Sequence, residues 1–89
     1  MTDRISAERL DDVDPDVAEV VRRLRRTLTL KRIANDWTQA YLAGLIGCAD
    51  HTVSTYETGR RTPSLPTLVR WASALGFELE LTYDRRRDE

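Results

Sequence analysis

The sequence predicts a mostly α-helical domain, four to five helices packed compactly and followed by one β-strand. Apolar residues recur at three- and four-residue spacing from Val17 to Leu75, the period of helices with one buried face. The periodic stretches are bracketed by capping residues at their starts and by glycine or Asn-Asp at their ends. From Phe77 to Tyr83 the period drops to two, which is the pattern of a strand.

The first helix is expected from Pro15 to Ala34, with Asp14 as cap and proline in the first turn. Val17, Val20, Val21, Leu24 and Leu28 make its apolar stripe. Leu30 and Ile33 fall off that stripe, so either the helix bends near residues 27–29 or these two side chains meet something outside the domain. The turn Asn35-Asp36 ends it. Thr38 caps a second helix reaching Ile46, where Leu42 and Ile46 share a face. Trp37 and Leu42 have the spacing of a hydrophobic staple. Gly47 offers the positive φ of a tight turn. A third helix follows from Ala49 or Asp50 to Thr58, closed by Gly59. Ser64 caps a fourth, with Pro66 in its first turn and Leu65, Leu68, Val69, Ala72 and Leu75 as its stripe. Trp71 lies at the stripe's edge, where it either finishes the core or covers a neighbouring subunit. Gly76 ends this helix.

In FELELTY, Phe77, Leu79, Leu81 and Tyr83 form one apolar face. No second strand is evident, and a lone strand leaves backbone groups unpaired. An identical strand from a second chain solves this across a twofold axis; the alternative is that 77–83 continues as a helix or frays. Its apolar side would rest near Trp71, Leu75 and residues 17–21. Residues 1–13 read as an acidic, weakly patterned arm and 84–89 as a charged tail. The domain itself spans 14–76 and the dimerisation strand 77–83.

With 89 residues the chain is one small domain, of a size that buries only about 60–65% of its unfolded surface. Its 40% hydrophobic content suffices for a core. One cysteine and one histidine exclude an internal disulfide and a structural zinc site. Cys48 is expected as a small core residue. No apolar run reaches membrane-spanning length, and no leader peptide opens the chain. These features fit a soluble intracellular protein without cofactor or metal. The net charge is −1, yet residues 21–74 hold nine basic against three acidic side chains, a surplus of six. The positive charge therefore falls in the segment that carries the second and third helices, on the residues that flank them, the kind of footprint that nucleic acid requires.

The outer positions of the third helix are Asp50, His51, Thr52, Thr55 and Thr58. All are short or hydrogen-bonding, as a helix lying in a DNA major groove needs. Residues 22–76 resemble the lambda-repressor-like, or Xre/Cro-type, helix-turn-helix domains. The resemblance rests on Thr38-Gln39, Leu42-Ala43, Gly47, Cys48, Val53-Ser54, Glu57 and Gly59. Ala49 departs from the usual Ser or Thr cap, which leaves Asp50 as an alternative cap. Asp50 is also an acid on a face that meets phosphates. The helix followed by a strand resembles the HipB-type antitoxins, whose C-terminal strands pair across the dimer.

The resemblance implies that Asp50, His51 and Thr55 face base edges. It also implies that Arg32 and Glu57 form a partly buried ion pair. Thr52 and Thr58 are expected to add methyl or phosphate contacts. Gln39 is expected to meet a phosphate together with the terminus of its helix, and Arg60 and Arg61 to grip the backbone from their loop. Phe77, Leu79, Leu81, Tyr83 and Trp71 are expected at the dimer interface. There is no catalytic constellation, and His51 has no orienting partner in sequence. The resulting expectation is a homodimeric transcriptional regulator, a repressor reading an inverted repeat in double-stranded DNA, cytoplasmic and of bacterial or phage origin. The alternative is an antitoxin or adaptor that chiefly binds a partner protein.

Overall fold

Four α-helices carry the chain: α1 (Pro15–Ala34), α2 (Gln39–Ile46), α3 (Asp50–Thr58) and α4 (Leu65–Ala74). The computed structural model describes residues 14–81. The acidic arm at 1–13, the charged tail at 84–89 and Tyr83 lie outside the described residues.

Each helix starts and stops for a local reason. The side chains of Asp14, Thr38 and Ser64 accept hydrogen bonds from backbone N–H groups two or three residues on, satisfying donors that a helix cannot pair itself. The α3 cap is Ala49, which offers no side-chain bond. Asp50 is therefore not the cap; it is the first helical residue. There its carboxylate sits at the positive end of the helix dipole. All four C-termini close in one way. The residue beyond the last turn takes a positive φ, at Asp36 (62°), Gly47 (78°), Gly59 (83°) and Gly76 (88°). The next N–H then reaches back five residues: Trp37 to Arg32, Cys48 to Ala43, Arg60 to Thr55 and Phe77 to Ala72. These are Schellman-type stops. Only α1 uses a residue other than glycine, and aspartate is among the few that tolerate this region.

The core forms where α2 packs on α3 and α4, and α1 on α3. It is built from Leu28, Leu42, Ala43, Ile46, Val53, Tyr56, Trp71, Ala72 and Leu75. Trp37, Cys48 and Leu68 pack against it, partly buried. Burial pushes the Cys48 thiol above its usual range; this suits a small core residue rather than a reactive thiol.

Two stripes differ from those expected. On α4 the buried face is Leu68, Trp71, Ala72 and Leu75, whereas Leu65 and Val69 are exposed. Trp71 is only 1% exposed. It finishes the core, so it does not cover a neighbouring subunit and does not belong to a dimer interface. On α1 the buried residues are Ala18 and Leu28; Val21 and Leu24 are half-buried. Val17 and Val20 are about half exposed. Helix α1 continues through residues 27–29, and Leu30 and Ile33 stand exposed on it. Residues 77–81 leave α4 without further regular structure. Phe77 and Leu79 line a groove against Val20 and Leu24 of α1, whereas Leu81 is fully exposed.

Candidate nucleic-acid interface

Val53 and Tyr56 anchor α3 from beneath, at 0% and 8% exposure. His51, Thr55 and Thr58 follow one another at four and three residues and so share a different face from that anchor. Asp50, His51 and Thr58 are exposed, and Thr52 and Thr55 are half-buried. Two hydroxyls are already engaged: Thr55 Oγ1 donates to the His51 carbonyl at 2.7 Å, and Thr58 Oγ1 to the Ser54 carbonyl at 2.9 Å. Both threonines thus turn their protons to the helix and keep acceptor and methyl surface for a ligand. Asp50 remains as an acceptor and His51 as a donor or acceptor on the exposed side of α3.

The outward presentation of α3 depends on a clamp beneath it. Arg32 of α1 forks onto Glu57: Nε donates to Oε2 at 2.7 Å and Nη2 to Oε1 at 3.0 Å. Its third nitrogen, Nη1, donates to the Trp37 carbonyl at 2.7 Å. The Arg32 side chain is 12% and that of Glu57 5% exposed. Gln39 Nε2 donates to the same Glu57 Oε1 at 2.9 Å. Four segments are therefore tied together around one ion pair: α1, the turn before α2, the start of α2 and the last turn of α3. The Gln39 and Trp37 parts of this network have no counterpart in the sequence expectation. Gln39 was expected at a phosphate; the structure directs one of its amide protons inward to Glu57.

Outside the clamp lies the loop after α3, where Arg60 and Arg61 are exposed. Arg25 of α1 packs against the same turn. An added methyl at Gly59 would come within 2.7 Å of Arg25 Nη1. Gly59 thus serves both the left-handed cap and the close approach of a guanidinium to the C-terminal end of α3, where positive charge is favoured. At Gly47 the φ is similar but nothing lies within 4 Å of an added methyl. Gly59→Ala is expected to melt at a lower temperature than Gly47→Ala, since both take the φ penalty of roughly 1–2 kcal/mol and only the first displaces Arg25. Paired thermal melts check this.

Two helices joined by the short turn at Gly47–Ala49, the second anchored from below and polar above, decide the assignment together with one comparison. Residues 16–83 match the helix-turn-helix domain family. The chain belongs to that family. No curated protein and no solved structure shows a match to it. The helix-turn-helix domain is a DNA-binding unit whose second helix enters the major groove. Among the described residues, no group of His, Cys, Asp and Glu is arranged to hold a metal ion. No helix among them is long and apolar enough to cross a membrane.

Proposed function

We propose that this helix-turn-helix domain is a sequence-specific transcriptional regulator of the Xre/Cro type that acts as a repressor and reads an inverted repeat as a homodimer. The observation that carries this is the outer face of α3, where Asp50, His51 and Thr55 stand over a buried Val53–Tyr56 anchor beside the Arg60–Arg61 loop. In a twofold dimer the two copies of α3 enter successive major grooves about 34 Å apart. The strand pattern of 77–83, with Phe77, Leu79, Leu81 and Tyr83 on one face, supports pairing with the same segment of a second copy, as in HipB-type antitoxins. The exposed apolar residues Val17, Val20 and Leu81 favour a partner. A second reading, an antitoxin or adaptor for another protein, is favoured by Leu30 and Ile33, which are 52% and 54% exposed on α1.

Loop and helix variants separate backbone grip from base reading. Arg60→Ala and Arg61→Ala are expected to weaken binding evenly across sequences, each lowering the salt slope by about 0.9 for every phosphate no longer gripped. His51→Ala and Thr55→Ala are expected to change which sequences are preferred, by about 1–3 kcal/mol at the affected base pair. Equal weakening of all sequences by Thr55→Ala would show that α3 is not placed as proposed.

A further inference from the structure

Val20, Leu24 and Leu28 of α1, Ala72 of α4, and Phe77 and Leu79 beyond it line an open groove of about 320 Å3. Leu28 and Ala72 are its buried floor, whereas Val20, Phe77 and Leu79 stand exposed on its walls. An apolar groove open to water marks an interaction surface. Leu81 lies two residues past this wall and is 100% exposed. The segment 77–81 thus carries one wall of the groove and an apolar side chain that no described residue covers.

The rims of the groove are charged with opposite sign. Arg23 stands on the α1 side and Glu78 on the other, with Glu80 exposed two residues on. Among the described residues the ion pairs are Arg22–Glu19 and Arg32–Glu57, so Arg23 and Glu78 border one groove without meeting. A knob, a hole and two unmet charges of opposite sign make this surface self-complementary. A twofold interface requires that property, since residue i meets residue j while j meets i.

We propose that the occupant of this groove is the second copy's Leu81, and that Arg23 meets the second copy's Glu78 and Glu80. The proposal rests on the homodimer reading given above and names the contacts of that interface. Charge argues for the second copy, because the α1 rim is basic and the segment bearing the exposed leucine is acidic. Alternation adds to this. In an extended segment Leu79 and Leu81 share one face, and Glu78 and Glu80 the other. A segment with Leu81 down in the groove therefore carries its acids up at the rim, where Arg23 stands. The exchange of charge across the axis fixes how the copies meet, as rim pairs set specificity more than affinity.

Association is measured on the full chain by sedimentation across a concentration series. Leu81→Asp is expected to raise the dimer dissociation constant by roughly a hundredfold or more, because every dimer loses two buried leucines. Its melting temperature as a dilute monomer stays unchanged, since Leu81 is exposed in its own fold. Arg23→Glu and Glu78→Lys/Glu80→Lys are each expected to sediment as monomers where wild type is a dimer, because like charges then face each other across the axis. Mixed one to one, these two variants are expected to pair again. The acid placed at 23 in one copy faces the lysines placed at 78 and 80 in the other, and the native Arg23 of the second faces the native Glu78 and Glu80 of the first. A pair made within one chain cannot be repaired by mixing. If wild type dimerises but Leu81→Asp or Arg23→Glu dimerises as well as it does, or mixing leaves monomers, the proposal is overturned and the homodimer reading stands on another surface. If wild type stays monomeric at millimolar concentration, both fall; methyl shifts of Val20 and Leu24 in Leu10→Asp would then give the groove to the chain's own N-terminal arm.

Discussion

Glu57→Ala is expected to destabilise the domain by about 3–5 kcal/mol, because it leaves the Arg32 guanidinium enclosed without its carboxylate. Two of the three nitrogens that Arg32 commits go to Glu57, and Gln39 loses its acceptor as well. For a domain of this size each kcal/mol moves the melting temperature by about 4–8 °C, so the loss is expected to exceed about 12 °C in a thermal melt. Replacing both charges, Arg32→Met with Glu57→Met, is expected to recover part of the loss, since no enclosed charge then lacks a partner. The clamp joins α1, the entry to α2 and the end of α3. Its removal therefore also frees α3 to shift over the groove, and binding to every DNA sequence should weaken. A melting temperature unchanged by Glu57→Ala would show that the fork contributes no net stability.

The second large effect is expected at Trp71. It is the bulkiest fully buried side chain, and its ring lies 5.8 Å from that of Tyr56. Tyr56 belongs to α3, so this contact seats α3 on α4. A partly open pocket of about 50 Å3, lined by both aromatic residues, already lies beside it. Trp71→Ala would enlarge that space and is expected to cost about 3–5 kcal/mol. Trp71→Phe should cost much less. The indole N–H is buried with no hydrogen-bond partner among the described residues, and a benzyl side chain removes a group whose unpaired burial costs about 1–3 kcal/mol. Denaturant unfolding of the two variants measures the difference; equal losses would show that the orphaned N–H carries no penalty.

The α2–turn–α3 unit was legible because it depends on local chemistry. The Thr38 cap, the left-handed glycines at 47 and 59, and the inward Val53 and Tyr56 follow from neighbouring residues alone. Trp71 was harder to place. Leu65 and Val69 are more familiar core residues, and both fit a helical stripe. The better stripe was present as Leu68, Trp71, Ala72 and Leu75, and the two small neighbours Ala72 and Ala74 leave space for an indole. On α1 the buried residue is the small Ala18, which carries little apolar signal, whereas Val17 and Val20 fit the stripe yet stand about half exposed. Periodicity marks an apolar face without saying what meets it. The Gln39–Glu57 bond spans 18 residues, and no local pattern signals a contact of that length. The same holds for the Arg25–Gly59 approach, which depends on how α1 crosses the end of α3.

The most direct measurement selects binding sites for the chain from a pool of random duplexes, in parallel for wild type and His51→Ala. Wild type is expected to enrich an inverted repeat with half-sites about one helical turn apart, and His51→Ala to enrich a repeat altered at the position that His51 meets. Enrichment of no motif by wild type, or of the same motif by both proteins, would contradict base reading by the outer face of α3.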